Sequence, residues 1–111
     1  MSDTVSKDKI LLIEPDENCR SMLGIYFTSL GYEVVTKTDE DYALLMLQYY
    51  RPDVVLLAQP GESYNNWYRA VPTNNFFPIL RECKQNRIPL IILVDTPHGK
   101  IWDVWDGSFF R

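Results

Sequence analysis

The chain reads as an α/β protein: a doubly wound parallel sheet in a three-layer sandwich, truncated or modified after its fourth strand. Two observations lead there. Ile10 to Ile13, Val54 to Ala58 and Ile88 to Val94 are nearly unbroken apolar runs of strand length, as suits a sheet covered on both faces. Between the first two lie residues with apolar positions at helical spacing, joined by short links. The order β-α-β-α-β then implies right-handed crossovers and parallel pairing.

Taken in order, Ile10 to Ile13 forms the first strand and ends at acidic residues. Asp16 is placed to cap a helix from Glu17. Met22, Leu23, Tyr26, Phe27 and Leu30 recur at helical spacing, and Gly31 ends that helix. Tyr32 to Lys37 is the second strand, with Val34 and Val35 β-branched. Thr38 is placed to cap the next helix, with Asp39, Glu40 and Asp41 at its positive end. Ala43, Met46, Leu47 and Tyr50 give its inner stripe, and Pro52 breaks the chain before the third strand. Residues 59 to 74 read as a turn-rich connection, longer than the usual two to six residues or so. A third helix follows from about Phe76 to Asn86, with Phe77, Leu80 and Cys83 inward and Pro78 in its first turn. Ile88 to Val94 is the fourth strand.

A chain of 111 residues forms one domain with a real core. The division expected is a flexible N-terminus over 1–8, the α/β domain over 9–95 and an aromatic tail over 96–111. An apolar fraction of 46% and a net charge of −4 suit a soluble protein and argue against direct binding to nucleic acid or an anionic membrane. No apolar run approaches the ~18 residues of a spanning helix, and the polar N-terminus has no signal-peptide core, so the expected location is the cytoplasm. Cys19 and Cys83 fit no metal or redox spacing and read as reduced thiols inside helices. With His98 the one histidine, a multi-histidine metal site is excluded. No metal and no cofactor is expected.

Three blocks carry a family resemblance: Lys9-Ile10-Leu11-Leu12-Ile13-Glu14-Pro15-Asp16-Glu17-Asn18, Leu30-Gly31-Tyr32-Glu33-Val34-Val35, and Arg51-Pro52-Asp53-Val54-Val55-Leu56-Leu57. Ile88-Pro89-Leu90-Ile91-Ile92-Leu93-Val94 adds weight. In this order and spacing the chain resembles response-regulator receiver domains, with their flavodoxin/CheY-like fold, across residues 8 to 95. The resemblance implies two acidic residues ending the first strand, a phosphoacceptor Asp ending the third, a Thr or Ser ending the fourth and a Lys ending a fifth. The carboxylates would hold Mg²⁺, and the hydroxyl and ammonium would hold the transferred group.

Matched residue by residue, Glu14 takes the first acidic position and Pro15 the second. Ala58 stands where the phosphoacceptor would be, and Val94 where the hydroxyl would be. Shifting the fourth strand offers Asp95 or Thr96, and Asp16 offers a substitute for Pro15. No shift restores an acceptor, since Leu57 and Gln59 flank Ala58. Lys100 follows no recognisable fifth strand and takes no role. Carboxylates before a helix are usually caps, which is the main reading of Glu14 and Asp16, with residual ligand binding as the alternative. The implied protein is a pseudo-receiver that has lost phosphoryl chemistry.

Only 16 residues follow Asp95, too few for helix, strand and helix. Either Ile101 to Trp105 supplies a short fifth strand or cover, or the fourth strand stays an open apolar edge that invites pairing. Aromatics gather in loop and tail: Trp67, Tyr68, Trp102, Trp105, Phe109 and Phe110. They either cover the domain's own edge or form hot spots for a protein partner or homodimer. The function expected is a phosphorylation-independent interaction module. The alternative is a metabolite- or quinone-sensing domain, with a ligand between Glu14, Asp16, Gln59 and Asp95 and Trp67 or Tyr68 as lid. No Ser-His-Asp set, metal cluster or phosphate-cradling glycine loop suggests an enzyme.

Overall fold

The computed structural model describes residues 8–65 and 67–105, with backbone alone for 64 and 101–105. The elements are β1 (Lys9–Ile13), α1 (Glu17–Ser29), β2 (Glu33–Lys37), α2 (Glu40–Tyr49), β3 (Val54–Tyr64), β4 (Trp67–Ala70), α3 (Phe76–Gln85), β5 (Leu90–Thr96) and β6 (Gly99–Trp105). The sheet runs β2-β1-β3-β5-β6, with β4 paired to β3 off this path. The expected fourth strand is therefore β5.

Three layers result because the strands are apolar on both faces. Ile10, Leu12, Leu56 and Leu93 pack with Leu23 and Phe27 of α1. Leu11, Ile13, Val55, Leu57 and Ile92 pack with Ala43 and Leu47 of α2 and with Phe76, Ile79 and Cys83 of α3. The Asp16 carboxylate caps α1, accepting from the Asn18 and Cys19 N–H groups at 3.0 and 3.4 Å. Gly31, at φ +98°, supplies the left-handed residue that ends this helix.

Parallel pairing holds through β2, β1, β3 and β5 and fails at both additions. β4 and β6 run antiparallel to their neighbours. The turn-rich segment expected over 59–74 is largely a hairpin. β3 continues to Tyr64, which pairs with Trp67, and Asn65 takes φ +47°. Pro60 does not break the strand, because its carbonyl is used, accepting from the Val71 N–H at 2.8 Å. At the tail, the strand alternative is the one observed: β6 covers β5 along its length, so β5 is not an open edge.

Several side chains face otherwise than periodicity suggested. Met22, Tyr26 and Leu30 are exposed, because only the Leu23 and Phe27 side of α1 meets the sheet. Ile25 is exposed too, since among the described elements only strands pack substantially against α1. Leu80 and Cys83 of α3 are buried as expected, but Phe77 is exposed, because the inner stripe runs Phe76, Ile79, Leu80 and Cys83 at helical spacing. Asp39, not Thr38, caps α2, accepting from the Tyr42 N–H at 3.2 Å. No described helix is long and apolar enough to cross a membrane.

Gly61 is where β3 leaves β5 and takes up β4. A methyl group there would overlap the Asp95 carbonyl oxygen. Backbone gives poorly, so Gly61→Ala should destabilise the domain by about 1–3 kcal/mol. Chemical denaturation would read this as a lower midpoint. An unchanged midpoint would mean that β3 and β5 separate here without cost.

Candidate functional site

The site lies beyond the carboxyl end of β1, beside the middle of β3 and the end of β5, near where a doubly wound sheet gathers its functional groups. Glu14 directly follows β1. Its N–H donates to the Lys37 carbonyl at 3.0 Å, which fixes the backbone, and its side chain is completely buried. A buried carboxylate is costly unless a charge or donor compensates it. Lys100 supplies the charge: its Nζ lies 3.0 Å from Glu14 Oε1 and 3.5 Å from Asp95 Oδ1. Among the described residues neither Glu14 oxygen accepts a well-formed hydrogen bond.

Lys100 reaches Glu14 because β6 is antiparallel. A parallel fifth strand would bring its last residues to this end of the sheet, whereas an antiparallel one brings its first. Thr96 and Gly99 close the turn. The Thr96 hydroxyl donates to the Gly99 carbonyl at 2.6 Å and accepts from the His98 N–H at 3.2 Å. Gly99 sits at φ +117°, a conformation that favours glycine. Thr96 is thus a turn-building residue and does not face the cavity as a free hydroxyl.

Burial alone would lower the Lys100 pKa. The adjacent Glu14 carboxylate, then Asp95, outweighs it and holds the ammonium above its ordinary value of 10.5. Burial, followed by the nearby Glu14 carboxylate, pushes the Cys19 thiol up to about 11. Cys19 is therefore a poor nucleophile near neutral pH.

A second cluster joins α2 to β3. Gln59 is buried, and its amide donates to Glu40 Oε2 at 3.2 Å and to the Ala58 carbonyl at 2.7 Å. Its Oε1 accepts from the Thr73 N–H at 2.9 Å and the Thr73 hydroxyl at 3.0 Å. The Thr73 hydroxyl also contacts Glu40 Oε1. Together the two clusters border a cavity of about 360 Å³ whose lining includes Glu14, Pro15, Ala58, Asp95 and Lys100.

The expected positions thus fall at one place, with different fates. Ala58 lines the cavity with a methyl group. Pro15 is exposed, and Val94 is buried in the core on the α3 face. Asp16 is spent on the helix cap. Lys100, Glu40 and Thr73 were not singled out from the sequence. Lys100 carried a readable signal, since Thr96-Pro97-His98-Gly99 followed by the β-branched and aromatic residues of Ile101 to Trp105 is a hairpin pattern. Among the described residues no set of three or more His, Cys, Asp or Glu side chains is placed to hold a metal.

The aromatic residues lie elsewhere. Trp67 is 72% exposed at the β3–β4 hairpin tip. With Tyr68, Asn65 and Arg69 it borders a separate cavity of about 300 Å³, so the pair does not roof the Glu14 cavity as the lid reading expected. Tyr68 also packs on the core. Trp102 and Trp105 are register partners of Leu93 and Leu90. Phe109 and Phe110 lie outside the described residues.

The chain is 36% identical over 100 residues to "Probable transcriptional regulator ycf27" of Cyanophora paradoxa, covering 89% of this chain and 37% of the relative. It resembles part of a transcriptional regulator. The protein of the same name from Guillardia theta is 34% identical over 55 residues, covering 50% of this chain and 22% of that one. The chain thus spans little more than a third of the longer match. No protein-family model and no solved structure matches it.

Breaking the ion pair tests its weight. Lys100→Met leaves Glu14 buried without a counter-charge and should cost about 2 kcal/mol, the low side for a buried pair because water still reaches the lysine. Glu14→Gln with Lys100→Met should recover most of that loss. In the unaltered protein the raised lysine pKa adds stability that is full below the ordinary lysine value and is lost as pH climbs through the folded one. Denaturant midpoints against pH should fall on the alkaline side, and Glu14→Gln should flatten that fall.

Proposed function

We propose that this chain is a receiver-like regulatory module that acts by protein contact, without phosphorylation. The observation that carries the reading is Ala58. Where β1 ends beside β3 and β5, Ala58 of β3 borders the cavity with a methyl group. The nearby Glu14 and Lys100 neutralise each other. Phosphoryl transfer of this kind needs a carboxylate oxygen as acceptor, and among Ala58, Gln59 and Pro60 β3 offers none there. The likeness to transcriptional regulators supports a regulatory role, exercised in the setting of transcription.

Incubation with a small acyl phosphate and Mg²⁺, followed by intact-mass measurement, tests the loss of chemistry. No phosphoryl adduct should form. An adduct that maps to any residue of the Glu14 cavity would sink the reading.

For the contact surface, Trp67 is the best-placed anchor among the described residues, being a large aromatic held on a hairpin tip. Trp67→Ala should weaken capture of a regulatory partner by more than about 1 kcal/mol while leaving the circular dichroism unchanged. Equal capture by the variant would move the surface elsewhere, with Trp102, Trp105, Phe109 and Phe110 next in line.

A second reading has its own support. The 360 Å³ cavity, with Gln59, Thr73, Asp95 and Lys100 on its wall, falls in the size range of small-molecule pockets. A metabolite or quinone there would make the module a sensor. Ligand-induced thermal stabilisation that disappears in Gln59→Leu would favour this reading over the first.

A further inference from the structure

Among the described residues β2 ends the sheet on its side, with β1 as its one strand neighbour. The Glu33 N–H donates to the Asp8 carbonyl, and the Lys37 carbonyl accepts from the Glu14 N–H. Glu33, Val35 and Lys37 therefore turn their backbone groups toward β1. Val34 and Thr36 alternate with them and turn theirs outward. A free strand edge of this kind is a template for another strand.

The sequence of β2 complements itself. A two-fold axis perpendicular to the sheet sets β2 antiparallel to the β2 of a second copy, with opposed side chains on the same face. Three registers then pair outward backbone groups, centred on Val34, Val35 or Thr36. Centring on Thr36 sets Glu33 against the partner's Asp39, a like-charge clash. Centring on Val34 leaves Lys37 opposite the partner's Gly31. Centring on Val35 sets Glu33 against the partner's Lys37, and by symmetry does so twice. In that register Val34 exchanges both hydrogen bonds with the partner's Thr36, also twice.

We propose that the β2 edge is a self-association surface, joining two copies into one continuous sheet in the register centred on Val35. Both charges already stand at this edge: the Tyr50 hydroxyl donates to Glu33 Oε2 at 2.8 Å, and Lys37 lies 5.6 Å from the centre of the Tyr42 ring. Each flank carries one large exposed side chain. On the α1 side, Ile25 borders a groove of about 310 Å³ with Gly24, Val34 and Thr36, and it is 72% exposed. On the α2 side Tyr42 is more than half exposed. Sheet continuation brings each helix toward its counterpart and covers both. This inference goes beyond the regulatory reading above, which stands equally for a monomer.

Size exclusion with light scattering over a range of concentrations of the full chain tests it. The unaltered protein should pass from monomer to dimer as concentration rises. Thr36→Pro removes an outward N–H and nothing from the β1 side, so it should remain monomeric with unchanged circular dichroism. Glu33→Lys or Lys37→Glu alone should weaken association about tenfold or more, and the two together should restore it. The restoration carries the test even if the proline variant fails to fold. A monomer at every concentration, or a dimer indifferent to the proline and to the charge reversals, would overturn the proposal.

Discussion

A carboxylate with no solvent exposure at the end of β1 imposes a condition on everything around it. Glu14 is held there by its own backbone, bonded to the end of β2, so it cannot swing out to water. An unpaired buried charge of this kind costs several kcal/mol, and a cation must be delivered to it. Among the described residues lining the cavity, Lys100 is that cation, and it arrives only because β6 starts at this end of the sheet. The turn geometry of Thr96 and Gly99 and the antiparallel sense of β6 therefore serve one electrostatic need. The ion pair in turn offsets one of the cavity's carboxylates, while Asp39, Glu40 and the exposed Asp95 also stand on its wall.

Much of the fold was legible where local chemistry and tertiary need agree. Asp16, Gly31 and Pro52 mark boundaries that the backbone respects, since a cap, a left-handed residue and a chain breaker act over a few residues. Reading failed where pairing overrides propensity. Gln59-Pro60-Gly61-Glu62 looks like a turn, yet it is strand, because β5 and β4 supply hydrogen-bonding partners that no local scale includes. The α1 stripe was read too wide for a related reason. Periodicity marks which residues share a face, and only contact with the sheet decides that Leu23 is inside while Met22 is out.

The site was half legible. Glu14, Pro15, Ala58 and Gln59 could be placed because each follows or closes an apolar run whose pattern fixes the strand register. Lys100 escaped because it was sought at the end of a parallel strand and lies at the start of an antiparallel one. Thr73 and Glu40 escaped because no motif links them. The fold alone brings the N-terminus of α2, the Gln59 amide and the chain before α3 to one point.

The hairpin between β5 and β6 also bears on how the domain assembles. A parallel strand must wait for a crossover of a dozen or more residues to close, which is costly in chain entropy and slow. A strand joined by a tight turn can pair with its neighbour on the microsecond scale of isolated hairpins. Here the sheet's last strand belongs to that fast class. Lys100 travels with β5 as one local unit, while Glu14 must come from the far end of the chain. The charge pair at the cavity therefore cannot close until β1 has joined the sheet beside β3.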